Sequence, residues 1–328
     1  MSARKVWLSL LIGVGVAASQ THAIRGPRLG LVFDPSAGTL RPIVGIAGSS
    51  TMGDPLPLGE PLESAIVSPS QDYALAMVGK DSEVRLVRVG PSNLTLVKVL
   101  LGPSPAPDRM AISPSGASAA FYYHNSSAIT VMTGFPVGPH ISARMALTRV
   151  SSPTALAVSD DGKVVLAGAG NAVVAVTEAA EIPVTATLGS VASLAFITGH
   201  DGLIADGVKN EVYLLRGAAG AGILSLLAGA GQQIAGPVSV AASSDGRKAF
   251  VANGTSGAVV ILDLASGAPP AVISCHCQLT GLDRLADGSL FRLNEVSERP
   301  LWLLDASPTR AVRVMFVPPA PPGRSVRQ

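Results

Sequence analysis

The residues with the most distinct chemistry in this chain are two cysteines that stand one residue apart. Cys275 and Cys277 are its only cysteines, in the sequence SCHC. On a β-strand, residues two apart point to the same face, so their thiols would lie side by side. In an oxidising compartment they could form a disulfide, while a thiophilic metal site or two half-buried thiols are the other interpretations. His276 would face the opposite way and is a poor third ligand.

Three histidines stand in or near segments that are rich in turn residues. His124 lies in YYHNSS, His140 follows in the same stretch of the chain, and His200 lies in GHDG. None of them has the close spacing of HExxH or a related metal motif. If the loops that carry them converge at one rim of the fold, they could form a ligand site. The alternative is that they are polar turn residues in contact with solvent.

Three charged residues interrupt runs that are otherwise apolar or rich in serine. Arg109 stands in PDRM, and Asp283 and Arg284 stand in GLDRLADG. They could grip an anionic ligand, or they could pair with neighbouring carboxylates. For a metal ion, Asp108, Asp283 and the Ser or Thr residues at the starts of these runs would make only a thin set of oxygen ligands.

The elements that must position these residues repeat along the chain. From Ser239 to Leu264 the sequence reads as three short strands joined by an Asp-Gly turn and a Gly-rich loop. Asp-Gly supplies the positive φ angles that a tight hairpin turn needs. The turn position recurs at intervals of 45, 46, 40, 44 and 42 residues. The matching positions are Gln71, Gly116, Gly162, Gly202, Gly246 and Gly288.

A period of this length is typical of four-stranded antiparallel blades. One such sheet cannot bury both of its faces, whereas a ring of them covers every face. We therefore predict an all-β propeller with six full blades at about 62–102, 107–150, 153–189, 191–229, 237–278 and 279–317.

The number of blades depends on a hairpin that precedes the first full unit. Residues 29–46 resemble the third and fourth strands of a blade, with Pro42 on an outer edge where its missing N–H is harmless. The hairpin favours seven blades, of which one is short. A six-bladed ring with the hairpin as an extra closing flap is the alternative.

The N-terminus is typical of a secretory signal peptide over residues 1–23, with Arg4 and Lys5 before an apolar run. Its removal leaves 22 basic and 22 acidic residues, so the mature chain is neutral and offers no electrostatic basis for binding nucleic acid. Later apolar runs are too short to span a membrane, which takes about 20 residues. We expect the propeller domain at 24–317 and a disordered, Pro-rich tail at 318–328.

The stretch SSDGRKAFVANGTSGAVVILDL, residues 243–264, resembles the YVTN-type repeat of WD-repeat-like propellers. In that repeat a Ser-Pro-Asp-Gly turn precedes a Tyr-Val-Ala-Asn strand and a Val-Ile-Asp strand. Here Ser244 replaces the proline and Phe250 replaces the tyrosine. The resemblance extends in weaker form over most of residues 62–317. It implies a non-catalytic propeller in a bacterial secreted protein.

The sequence contains no GxSxG elbow, Walker loop or paired zinc motif. We expect a secreted or periplasmic, non-enzymatic scaffold that binds a protein or a small ligand at a rim of the propeller, with no cofactor. One alternative is a lactonase-like or other hydrolase with a metal at the channel mouth, and another is a subunit of a larger secreted assembly. The sequence leaves the ligand, the oligomeric state and any catalytic activity open.

Overall fold

A computed structural model of the chain describes residues 26–79, 83–90, 94–98, 106–184, 188–285 and 288–319. The predicted signal peptide and most of the predicted tail lie outside these residues. The described part contains 27 strands and one short 3-10 turn, Ala230–Gln232, so the predicted all-β class is confirmed. None of its helical segments is long and apolar enough to cross a membrane.

The strands form seven antiparallel sheets, in each of which strands that are consecutive in the chain are paired. Blade 1 has three strands: β1 (Arg28–Asp34), β2 (Thr39–Ile46) and β3 (Ser49–Met52). Blade 2 comprises β4 (Leu62–Val67), β5 (Tyr73–Val78), β6 (Glu83–Val89) and β7 (Leu94–Lys98). Blade 3 comprises β8 (Arg109–Ile112), β9 (Ser118–Tyr123), β10 (Ala128–Thr133) and β11 (His140–Ala146). Blade 4 comprises β12 (Ala155–Val158), β13 (Val165–Ala169), β14 (Ala172–Val176) and β15 (Glu181–Pro183).

The last three blades also have four strands each. Blade 5 comprises β16 (Val191–Phe196), β17 (Gly202–Asp206), β18 (Glu211–Arg216) and β19 (Ile223–Ala228). Blade 6 comprises β20 (Pro237–Ala242), β21 (Lys248–Asn253), β22 (Ala258–Asp263) and β23 (Ala271–Ser274). Blade 7 comprises β24 (Asp283–Arg284), β25 (Leu290–Arg292), β26 (Leu301–Asp305) and β27 (Arg313–Val317).

Seven apolar clusters hold the blades together, and each lies between two successive blades. Between blades 6 and 7, for example, the rings of Phe250 and Phe291 pack with their centroids 4.7 Å apart. Val32 of blade 1 shares a cluster with Leu301 and Leu303 of blade 7, which closes the ring. The prediction of seven blades with a short N-terminal one is therefore confirmed, and the six-bladed alternative is wrong.

The ring has two faces, which are defined by the direction of its innermost strands. The first strands of blades 2 to 7 line the central channel and all begin at one face, which we call the start face. They end at the opposite face, where tight turns lead into the second strands, and we call this the turn face. Each turn returns the chain along the same sheet, so second strands run from the turn face back to the start face.

Blade 1 lacks the innermost strand among the described residues. The N–H of Leu62, at the beginning of β4, donates to the carbonyl of Gly38 at 2.7 Å, so the turn between β1 and β2 lies at the start face. In the middle of β1, the N–H of Leu31 donates to Oε1 of Gln71, in the tight turn of blade 2 at the opposite face. β1 therefore runs in the direction of a second strand, and β1 to β3 take the second to fourth positions.

The prediction that this hairpin supplies third and fourth strands is thus wrong. The turn after Asp34 is built like the turn after Asp263, which joins a third strand to a fourth: in both, the carboxylate accepts N–H groups of the following residues. Asp206 closes the turn after a second strand in the same way, through Val208 and Lys209. Because the same capped turn serves both hairpins, it does not identify the position of a strand.

Pro42 lies in β2, the middle strand of blade 1, and not on the predicted outer edge. The carbonyl of Pro42 accepts a hydrogen bond from the N–H of Gly53 at 2.8 Å, just beyond the end of β3. The missing N–H of Pro42 would face the Gly53 carbonyl, and Nη1 of Arg41 donates to that carbonyl instead, at 3.1 Å. A proline is tolerated here because a neighbouring side chain supplies the absent donor.

The predicted turn residues have positive φ angles at five of the six positions. The turn residues with φ between 61° and 81° are Gln71, Gly116, Gly162, Gly246 and Gly288. Gly202 is the exception, because it begins β17 and the positive φ belongs to Gly199. The first hairpin of blade 5 is one residue shorter than that of blade 6. In blade 5 the N–H of Ile197 donates to the carbonyl of Asp201, whereas in blade 6 the N–H of Ser243 donates to the carbonyl of Lys248.

Gln71 fills part of the space beside β1 that an innermost strand would occupy. Its side chain is buried, with Oε1 at 2.6 Å from the N–H of Leu31 and Nε2 at 3.2 Å from the carbonyl of Ser68. Nε2 also lies 3.4 Å from the carbonyl of Arg284 in blade 7. One amide thus links three blades and satisfies a backbone donor at the unpaired edge of β1.

We predict that Gln71→Leu lowers the free energy of unfolding by about 1–3 kcal/mol, because the buried N–H of Leu31 loses its acceptor. Urea or thermal unfolding of the purified protein measures the change. The matched control is Gln233→Leu, which changes an exposed glutamine with a similar φ of 63°. Equal losses of unfolding free energy in the two variants would contradict the role of the Gln71 side chain as the acceptor for the Leu31 N–H.

Candidate functional site

The structure does not bring the three predicted histidines together. His124 follows β9 and lies at the start face, whereas His140 begins β11 and His200 precedes β17, both at the turn face. Each ring contacts local groups. Nδ1 of His124 lies 3.0 Å from Oγ of Ser152, and Nδ1 of His140 lies 3.1 Å from the carbonyl of Gly138.

His200 makes the most polar of these contacts, with Nε2 at 3.0 Å from Oδ2 of Asp161 in the preceding blade. Burial raises the pKa of the Asp161 carboxyl, but hydrogen bonds from the Lys163 N–H, the Ser159 hydroxyl and His200 outweigh it. The net pKa of Asp161 lies below its ordinary value of 3.8. This pair links two turns across adjacent blades and is accessible to solvent.

Arg109 lies at the start face, where it lines a cavity of about 220 Å³ at the mouth of the channel. Thr154 and Ser193 from the next two blades line the same cavity. The neighbouring carboxylate of Asp108 accepts the backbone N–H of His124 at 2.6 Å. Arg109 and His124 therefore both lie at the start face of the ring.

Asp283 acts as a counter-ion. Its Oδ2 accepts from Nε and Nη2 of Arg292, and the same guanidinium contacts Glu295 at 2.7 Å. Burial lowers the pKa of Arg292, but the charges of the two carboxylates outweigh it and raise the net value. The carboxylate of Asp283 is thus engaged by a largely buried guanidinium of its own blade.

Arg284 reaches across the channel. Its Nη1 donates to the carbonyl of Pro114 in blade 3 at 3.1 Å, and its Nη2 donates to the carbonyl of Ala242 in blade 6. The guanidinium lines a cavity of about 160 Å³ near the turn face, which we call the channel cavity. The remaining lining is mainly apolar: Pro69, Ile112, Ser113, Pro114, Leu156, Ala157, Val158, Leu194, Ala195, Phe196, Val240, Ala241, Ala242 and Leu282.

The position of Arg284 is apolar in the other four-stranded blades. Counted from the closing hydrogen bond of each first hairpin, the matching residues are Val67, Ile112, Val158, Phe196 and Ala242. Burial lowers the pKa of Arg284, and the negative charge of Asp160 only partly opposes this effect. Blade 7 therefore places one partly buried positive charge in a channel whose lining is mainly apolar.

Cys275 and Cys277 are joined by a disulfide in the structure, with their Cα atoms 5.0 Å apart. The strand that was predicted to carry them ends at Ser274, so the pair lies in the segment that follows β23. His276 has a φ of 54°, and this left-handed conformation turns the chain between the two cysteines. Cys275 packs into the cluster between blades 6 and 7.

No group of three or more His, Cys, Asp or Glu side chains within the described ranges could hold a metal ion. The residues proposed for the channel mouth are spread over two faces, and Asp283 is engaged by Arg292.

Sequence reasoning missed a surface on the outermost strand of blade 5. Ile223 and Leu226 of β19 are 71% and 57% exposed, although both are large apolar residues. The sequence ILSLLA contains no charge, and this absence on an outer strand is the signal that could have identified the surface.

No family model matches the chain, and no curated protein matches it either. Among solved structures, a functionally unknown protein from Desulfotomaculum acetoxidans aligns with a TM-score of 0.60 at 11% identity over 89% of this chain and 100% of its own. A protein from Lactobacillus plantarum aligns with a TM-score of 0.60 at 12% identity, covering 89% and 96% of the two chains. The WD40 repeats of RRP9 align with a TM-score of 0.56 at 13% identity, covering 80% and 82%. The chain has the fold of a WD-repeat-like, seven-bladed β-propeller.

We predict that iodoacetamide labels no cysteine in the native protein and two after reduction under denaturing conditions, because both sulfur atoms are bonded to each other. Intact-mass spectrometry counts the labels. The Cys275→Ser/Cys277→Ser variant should take up no label in either state and serves as the control. A label in the non-reduced, denatured protein would show that the thiols are free.

Proposed function

We propose that the protein is a secreted, non-enzymatic scaffold that binds a protein partner along the outer edge of blade 5. The observation that carries the proposal is the exposure of Ile223 and Leu226 on an edge strand without charges. Apolar side chains that are exposed together, rather than scattered singly, are typical of interaction sites.

The edge of β19 has unpaired backbone groups. β19 is the last strand of its sheet and pairs only with β18. The register shifts where Ala228 and Leu226 pair with Val212 and Tyr213, so the regular edge runs from Ile223 to Leu226. An extended segment of a partner can hydrogen-bond to such an edge while its side chains cover the apolar ones.

Other outer strands are guarded against this kind of pairing. β7 ends on Lys98, β11 carries Arg144, β15 carries Glu181 and β27 carries Arg313, and charges on an edge oppose pairing with another chain. β3 and β23 also lack charges, but each has only four residues, and their fully exposed positions are small polar residues or alanine. Blade 5 thus has the longest unguarded edge among the described outer strands.

Secretion is part of the proposal. The apolar N-terminal segment after Arg4 and Lys5 supports it, and so does a disulfide between Cys275 and Cys277, because disulfides persist in oxidising compartments. The resemblance of residues 243–264 to the YVTN-type repeat supports a bacterial, secreted origin. No observation on the described residues favours the metal-dependent hydrolase.

We predict that a photo-crosslinking amino acid at Ser225, an exposed position within the edge, captures one partner from cells that express the protein. Adding Leu226→Lys should abolish the crosslink, because a buried lysine in a paired edge is strongly unfavourable. Immunoblotting and mass spectrometry of the crosslinked band provide the measurement.

The matched control is Val137→Lys, which changes an apolar residue that is 84% exposed on blade 3, far from this edge. Both substitutions are on the surface and should change the free energy of unfolding by no more than about 0.5 kcal/mol. If Leu226→Lys and Val137→Lys leave the same crosslinked band, the blade 5 edge is not the binding surface.

A further inference from the structure

We propose that the channel cavity beside Arg284 is a binding site for a small organic carboxylate with a compact apolar body. The site is separate from the blade 5 edge and extends the function to a low-molecular-weight ligand. It is built from one guanidinium and apolar walls supplied by several blades.

The guanidinium of Arg284 has donors beyond those that bind the protein. The group carries five N–H bonds in one plane. The two hydrogen bonds to the carbonyls of Pro114 and Ala242 use one N–H on each terminal nitrogen. Both acceptors are neutral, so these contacts fix the side chain across the channel without neutralising its charge.

Charge and burial favour an anion at this position. Arg284 is partly buried, and this burial lowers the pKa of its guanidinium. Asp160 is the carboxylate that acts on it most, but Oδ1 of Asp160 accepts the N–H and the hydroxyl of Ser115 at 2.7 and 2.6 Å. An anion that enters the cavity would pair with the guanidinium at short range, beside walls that are mainly apolar.

The shape and chemistry of the cavity select the class of anion. Its volume of about 160 Å³ is close to the roughly 150 Å³ of an apolar cavity that holds benzene. Leu156, Leu194 and Val240 line it, so they favour a hydrocarbon body over a hydrated one. A planar carboxylate matches the fork of a guanidinium, whereas a phosphate dianion would lose hydration against these walls. Benzoate and short-chain fatty acids fit both requirements.

The cavity lies near the turn face, where its lining includes Pro69 and Pro114 from the first turns of blades 2 and 3. A ligand therefore enters from that face, with the carboxylate next to Arg284 and the hydrocarbon body between the first strands of blades 4, 5 and 6.

Isothermal titration calorimetry of the full chain with benzoate tests the proposal, with benzyl alcohol as the uncharged probe of similar size. We expect benzoate to bind at least tenfold more tightly than benzyl alcohol. Arg284→Met keeps the length of the side chain and removes its charge, and it should weaken benzoate binding at least tenfold. Asp160→Asn removes the nearby negative charge and should tighten benzoate binding several-fold.

Arg284→Met also removes a tie between blades 3 and 6, so a second variant protects the test from a loss of folding. Ala195→Leu fills the cavity and leaves the guanidinium in place, and it should also abolish benzoate binding. Circular dichroism and thermal unfolding confirm that each variant is folded. Absence of binding by the native protein at 10 mM benzoate, or equal affinity for benzoate and benzyl alcohol, would overturn the proposal. Equal binding by a folded Arg284→Met variant would do the same.

Discussion

The contact between the first and last blades is the constraint on which the rest of the structure depends. A propeller buries its sheets only if the ring closes, because the outward face of any end blade would otherwise be exposed to water. Here the described strands of blades 1 and 7 belong to different sheets. Closure rests on side chains, with Val32 and Ile43 of blade 1 packed against Leu301 and Leu303 of blade 7.

The short first blade makes this closure harder, and the neighbouring blades compensate for it. Gly30 lies where an added Cβ would come within 3.1 Å of both Gln71 and Leu285, so blades 2 and 7 approach each other over the unpaired edge of β1. The side-chain amide of Gln71 supplies the hydrogen-bond acceptor for β1 that a paired strand would otherwise supply. Gln71 has a φ of 61° at a turn position that is glycine in most other blades. The contacts of its side chain explain why a residue less suited than glycine to this backbone conformation occupies the turn.

Much of the architecture could be predicted because the blade turn has a sequence signature with a physical cause. Asp245 and Gly246 show it: the carboxylate accepts the Ser243 hydroxyl and the Arg247 N–H, while glycine provides the positive φ. The position of the N-terminal hairpin could not be predicted, because a capping aspartate closes different hairpins equally well. Neither could the reach of Arg284 to Pro114, which joins residues 170 positions apart. The separation of His124 from His140 was predictable in principle, since each further strand takes the chain to the opposite face.

The cavities at the two ends of the channel share part of their lining. Leu156 and Leu194 line the cavity beside Arg109 as well as the cavity beside Arg284. These two leucines therefore form a wall that the two cavities share. A ligand in one cavity would alter the other by shifting the side chains of this shared wall.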